Sequence, residues 1–190
     1  MQSRLLKPPL PLLYEEEYAA IRVMMEHATH VLEWGSGFST LNFGHLPTSY
    51  TTIEHDKQWF DNIARKLADD EKFANVVQHY VPHSHAGTMQ STKMRGQYFD
   101  NYVAFVNTLG KQFDLVFIDG RAREFCVYAV IPYLAPNAKV IVHDWIRQRY
   151  HVVLDVFDEI DCVEIIDANS KCVKHTGILA LKKAQNESIF

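Results

Sequence analysis

The stretch Val31-Leu32-Glu33-Trp34-Gly35-Ser36-Gly37-Phe38-Ser39-Thr40 constrains this chain more than any other. Apolar residues run into a loop with glycines at 35 and 37, and small hydroxyl residues follow at 36, 39 and 40. A strand that breaks into a tight turn and opens a helix is the way an α/β protein brings bare backbone against a nucleotide. The same turn chemistry also serves ordinary strand-to-helix connections, so the rest of the chain has to decide between them.

Composition limits the choices. A chain of 190 residues with 47% hydrophobic and 22% charged residues has the balance of one globular domain with a sizeable core. We read residues 1–190 as a single domain, with 1–13 as an extended, proline-broken lead-in (Pro8, Pro9, Pro11). A net charge of −4 and a pI near 6.2 give no nucleic-acid footprint. The nearest approaches to basic clusters are Lys182-Lys183 and the Arg147/Arg149 pair. Cys126, Cys162 and Cys172 are odd in number and lack Cys-x-x-Cys spacing, which suits a reducing compartment. No apolar run is long enough for a membrane span, so the expectation is a soluble, cytoplasmic protein.

Periodicity gives the order of elements. Helical spacing covers Tyr14 to His27, Ser39 to Gly44, Asp56 to about Leu67, Gln97 to Leu109, Glu124 to Leu134 and Arg147 to Glu159. Between them lie β-rich runs at 31–34, 50–54, 75–81, 113–119 and 139–142. Phe113 to Asp119 is apolar enough to be buried on both faces. Two closing runs, Cys162 to Ile166 and Gly177 to Leu181, are joined by a short polar loop and should pair as an antiparallel hairpin. The fold class expected is a three-layer α/β/α Rossmann-like sandwich around a seven-stranded, mostly parallel sheet.

The pattern Glu33-x-Gly35-x-Gly37-x-Ser39-Thr40, followed by Glu54 at the end of the second strand, resembles the class I S-adenosylmethionine-dependent methyltransferases. The terminal hairpin matches that family too; Ser39 stands where its loop has a third glycine. The resemblance implies S-adenosylmethionine as cofactor and Glu33, Trp34, Gly35, Ser36, Gly37, Ser39 and Thr40 as its amino-acid-side cradle. Gly35 and Gly37 would let the main chain approach the cofactor, and Glu33 would accept from its ammonium group. Glu54, about twenty residues after the loop, would hold the ribose hydroxyls, with His55 as a wall of the adenosine site. Asp56 reads as a helix N-cap.

Ligands of open parallel sheets bind at the carboxyl ends of strands. Two adjoining strands end in Phe117-Ile118-Asp119-Gly120-Arg121 and Val142-His143-Asp144-Trp145, which makes Asp119, His143 and Asp144 the candidate catalytic residues and puts Asp119 and Gly120 at the cofactor. The region is similar to the catechol-type O-methyltransferases, in which two such aspartates hold a divalent cation. Trp145 stands where those enzymes have an asparagine ligand, so no metal residue is assigned. Without a metal, His143 or Asp144 would act as general base on an acceptor hydroxyl. The Val-His-Asp ending is also similar to plant glucuronoxylan methyltransferases, which implies an oxygen acceptor of carbohydrate type.

His79, His83 and His85 and the polar segment from Pro82 to Arg95 read as a substrate loop or lid. Tyr98, Phe99 and Tyr102 fit either a pocket wall or the core. Arg121 and Arg123 fit either an anion-attracting pair or a helix start. The function expected is methyl transfer to a small-molecule acceptor, with no nucleic-acid or membrane partner. A nicotinamide-dependent oxidoreductase and a non-catalytic cofactor-binding protein are the alternatives.

Overall fold

The strand order is β3-β2-β1-β4-β5-β7-β6, parallel throughout except where β7 meets β5 and β6. The strands are β1 (His30–Trp34), β2 (Ser49–Glu54), β3 (Val76–Tyr80), β4 (Phe113–Ile118), β5 (Leu134–His143), β6 (Phe157–Ile166) and β7 (Cys172–Leu181). Around them lie α1 (Glu15–His27), α2 (Phe38–Phe43), α3 (Lys57–Ala68), α4 (Asp100–Ala104) and α5 (Arg123–Val130). The computed structural model describes residues 2–6, 9–91, 94–167 and 169–182; Pro8 and Lys183, named above, lie outside the described residues.

Alternation along the central strands builds two cores. Leu32 and Trp34 of β1, Val116 and Ile118 of β4, and Val140 and Val142 of β5 point to one face, against α4, α5 and the segment that precedes β6. Val31, Leu115, Phe117 and Ile141 point to the other, where Ile21 and Met25 of α1 cover them. Both faces of β4 are therefore buried, as its unbroken apolar run requires. Glu15, Glu16 and Glu17 open α1, where carboxylates complement the helix dipole. Asp56 caps α3 by accepting from the Trp59 N–H at 2.9 Å.

Besides a longer β5 and β7, which begin at Leu134 and Cys172 and not at Lys139 and Gly177, the structure departs from the sequence reading in three places. The helical pattern at 147–159 is a 3₁₀ segment, Gln148–Asp155, and Phe157 to Asp161 already belong to β6. Here β7 offers an open edge, and pairing along Phe157↔Leu181 to Ile166↔Cys172 outweighs the local periodicity. The Gln97–Leu109 pattern becomes the short α4 followed by a 3₁₀ turn, Phe105–Thr108. The lead-in folds back on itself: Leu6 N–H donates to Leu13 O, Glu15 N–H to Arg4 O, and Ser3 N–H to Ile166 O at the end of β6. No described helix is long and apolar enough to cross a membrane.

Candidate active site

A cleft of about 990 Å³ opens at the carboxyl ends of β1, β2 and β4, a size that suits a small organic cofactor. The loop after β1 contributes Gly35, Ser36, Gly37 and Ser39 to its lining. The end of β2 adds Glu54 and His55, and the end of β4 adds Asp119 and Gly120.

Gly35 has φ +101°, and a Cβ there would lie 2.7 Å from the Gly120 backbone. The glycine is therefore demanded by the close approach of two loops, before any ligand is considered. Gly37 is extended, and a Cβ would meet the Trp59 ring and Ser39 Oγ at ordinary distances of 3.5 Å and more. The Trp59 indole N–H donates to Ser36 O at 2.6 Å, fastening the loop to α3. Trp59 lines the cleft as well. The sequence signalled it only as a member of an apolar helix face.

Glu33, Trp34 and Thr40 are fully buried beneath this surface. Trp34 donates to Tyr102 O in the core. Glu33 accepts from Ser39, Thr40 and Thr52 hydroxyls, the last at 2.8 Å. It braces the loop from below instead of facing the cleft. Burial raises its pKa to about 7, and the three hydroxyl donors only partly offset that. The fold thus holds a proton on Glu33 more tightly than the unfolded chain does. This stabilisation is complete below about pH 4.5 and is lost as pH rises through about 7, a change on the order of 3 kcal/mol. Urea unfolding at about pH 5 and about pH 8 should show that loss in the native chain and a clearly smaller one in Glu33→Gln; equal losses would remove Glu33 as the cause.

Glu54 is 3% exposed. Its Oε1 accepts from the N–H groups of His55 and Asp56, both at 2.8 Å, and lies 2.8 Å from His55 Nδ1. Oε2 has no partner among the described residues, so one oxygen is anchored while the other is left for a ligand. His55 stands edge-on to Phe99 and Tyr102, which are core residues here and not pocket walls.

At the other side of the cleft the three candidate catalytic residues separate. Only Asp119, 30% exposed, lines the cleft. His143 lies behind it, 9% exposed, with Nδ1 2.8 Å from Asp119 Oδ1. Asp144 takes left-handed backbone (φ +59°) and pairs with Arg147 at 2.8 Å and Arg123 at 3.2 Å. Arg123 is buried and joins the strand ends: it meets Asp119 Oδ1 at 2.9 Å and donates to the carbonyls of Asp119, Gly120 and His143. Its guanidinium thus bridges one oxygen of each aspartate and sets a fixed positive charge between them, where a divalent cation would be repelled; the pair does not fit a metal. Burial alone would raise the pKa of Asp119, but the charges of His143 and Arg123 outweigh it and hold the carboxyl near 2. Burial would likewise lower that of His143, yet Asp119 and Glu17 raise it to about 10.

The segment from Pro82 to Arg95 is tied down where it is described. Ser84 and Tyr98 exchange backbone hydrogen bonds, and Asp100 accepts from Thr88 and Met89 N–H groups. Met94 reaches the cleft. His83 and His85 stack at 5.5 Å, whereas His79 packs on Phe105, so the three do not converge. Arg121 lines the cleft and also a small polar notch beside it, shared with Arg147, Arg149 and Tyr150. Sequence reasoning missed Glu17, whose carboxylate reaches the back of this site from α1; its place in a Glu-Glu-Glu helix start gave no sign of that.

A model of the methyltransferase domain matches residues 32–145, more than half of the chain. No curated protein matches it. Among solved structures, a methyltransferase-like protein from Silicibacter pomeroyi is 21% identical, with 95% of this chain and 89% of that chain covered at a TM-score of 0.66. The O-methyltransferase TomG from Streptomyces achromogenes, involved in tomaymycin synthesis and solved with S-adenosylmethionine, is 16% identical over 94% and 82% of the chains at 0.63. An O-methyltransferase from Bacillus cereus, solved with S-adenosylhomocysteine, is 12% identical over 94% and 82% at 0.65. At these identities the likeness is one of fold.

Proposed function

Because the chain belongs to the methyltransferase-domain family, and is an S-adenosylmethionine-dependent methyltransferase, we propose that it methylates an oxygen of a small, anionic acceptor. The observation that carries this reading is Arg121, which lines both the cofactor cleft and the polar notch beside Gly120. O-methyltransferases among the structures of similar fold support the oxygen. The family match sets aside the nicotinamide alternative.

The cofactor supplies an electrophilic methyl group on a sulfonium. Gly35, Ser36 and Gly37 would hold its amino-acid part against bare backbone, and Glu54 Oε2 would accept from the ribose. Asp119 is the catalytic residue of the three candidates: a fixed carboxylate at the cleft, it would accept a hydrogen bond from the acceptor hydroxyl and orient its oxygen, with the hydroxyl proton leaving to water as the oxygen is methylated. His143 and Asp144 are positioning residues. His143 fixes the carboxylate of Asp119, and Asp144 fixes the arginines around it. A carboxylate held near pKa 2 is a weak base, so most of the rate comes from alignment of the two reactants and little from proton abstraction.

Incubating the enzyme with labelled S-adenosylmethionine and a panel of hydroxylated carboxylic acids, sugar acids and neutral hydroxyl compounds tests the acceptor class. Acids should be methylated, and Arg121→Ala should raise their KM roughly fivefold, the loss of one exposed ion pair near 1 kcal/mol, with kcat little changed. Preference for neutral acceptors, or an unchanged KM, would overturn the anionic assignment.

A further inference from the structure

Methyl transfer leaves unexplained what lies behind Asp119. Glu17 of α1, His143 at the end of β5 and His175 of β7 bring three ligand-type atoms within 4.8 Å of one another. Glu17 Oε1 is 2.7 Å from His175 Nδ1 and 3.5 Å from His143 Nε2. His143 is more than nine-tenths buried, and its Nε2 has no hydrogen-bond partner among the described residues. Glu17 is fully enclosed. It accepts from Tyr14 N–H and the Thr176 hydroxyl and has both imidazoles beside it, so a divalent ion in place of the imidazole protons would meet the same need for positive charge at an enclosed carboxylate.

We propose that Glu17, His143 and His175 bind a divalent transition metal, zinc foremost, that clamps α1 to the ends of β5 and β7. Two imidazole nitrogens with one carboxylate oxygen are a donor set for zinc and its neighbours, whereas magnesium and calcium take oxygen. Tetrahedral ligands at about 2.1 Å from zinc lie roughly 3.4 Å apart. The Glu17–His143 edge, at 3.5 Å, already has that length. The shorter Glu17–His175 edge is a hydrogen bond that opens once a metal replaces its proton. Asp119 supplies the outer support such sites use: it holds His143 Nδ1 at 2.8 Å, which turns Nε2 toward Glu17. His175, 17% exposed, gives the ion a way in and leaves a position for water. The site is distinct from the Asp119–Asp144 pair, which Arg123 already occupies.

The test uses the full chain, stripped with a chelator and dialysed, then titrated with zinc chloride by calorimetry and with Co²⁺ by visible absorption. About one zinc per chain should bind at micromolar or tighter Kd, and Co²⁺ should give the strong absorption of a tetrahedral site. His175→Ala should weaken zinc at least a hundredfold while still binding S-adenosylhomocysteine, which shows that it folds. His175→Cys should keep the metal and add a thiolate-to-Co²⁺ charge-transfer band. No uptake of zinc at one per chain, or unchanged affinity in His175→Ala, would overturn the proposal. Magnesium should not compete; competition at millimolar Mg²⁺ would also overturn it.

Discussion

Gly35→Ala should lower the melting temperature by roughly 10 °C and weaken S-adenosylhomocysteine at least a hundredfold. The added methyl would lie 2.7 Å from the Cα and N of Gly120, at a φ of +101°. Left-handed backbone costs a non-glycine residue about 1–2 kcal/mol, and overpacking adds about 1–3 kcal/mol. For a domain of this size each kcal/mol is worth roughly 2–4 °C. The obstacle is main chain and not a rotatable side chain, so the two loops must separate. Each carries a wall of the cofactor cleft: Ser36 and Gly37 on one side, Asp119 and Gly120 on the other. Melting curves and calorimetry of the purified variant check this. A variant within about two degrees and threefold of the native protein would show that the contact is softer than it is drawn.

Glu54→Gln should weaken S-adenosylhomocysteine by about 10- to 100-fold, or about 1.4–2.8 kcal/mol, while hardly changing the melting temperature. The asymmetry follows from the division of labour between the two oxygens. A glutamine can still accept from the N–H groups of His55 and Asp56 through Oε1, so the turn after β2 survives. What changes is the other end: an amide nitrogen replaces the oxygen that has no protein partner, and it donates where a ribose hydroxyl also needs to donate. Unchanged affinity would take Glu54 out of the ribose site.

These two expectations rest on features that are local in sequence, and local features were the legible ones. The strand, the Gly-x-Gly turn and the acid about twenty residues later all declare themselves within a short window. The buried run of β4 and the closing hairpin did so as well. The failures share a cause. Residues 147–159 carry helical periodicity, and only the distant edge of β7 makes the end of that segment a strand. His143 was placed at the reacting end of its strand correctly, but which of its ring nitrogens meets which neighbour depends on Glu17 and His175, which the sequence separates widely. Glu33 lies at the end of β1, beneath the loop, and three hydroxyls from Ser39, Thr40 and Thr52 turn its carboxylate inward, an arrangement that no short window of sequence displays. Arg123 offered two readings from sequence and took neither outright: it opens α5, yet it is buried and binds strand ends.

The placement of β7 between β5 and β6 also sets an order of events. During synthesis β6 is made before β7, yet it has no partner in the sheet until β7 arrives, and β5 presents a bare edge for the same interval. Vectorial folding therefore cannot finish the sheet from the N-terminus outward; β7, the last of the described strands, must enter between two earlier ones. That same strand carries His175 and Thr176, which meet Glu17 of the first helix. The first helix and β7 are thus sealed together late, and a nascent chain stalled before residue 172 would leave Glu17 without His175 and Thr176 and would carry open strand edges on β5 and β6. Such an intermediate is a substrate for chaperones or for aggregation.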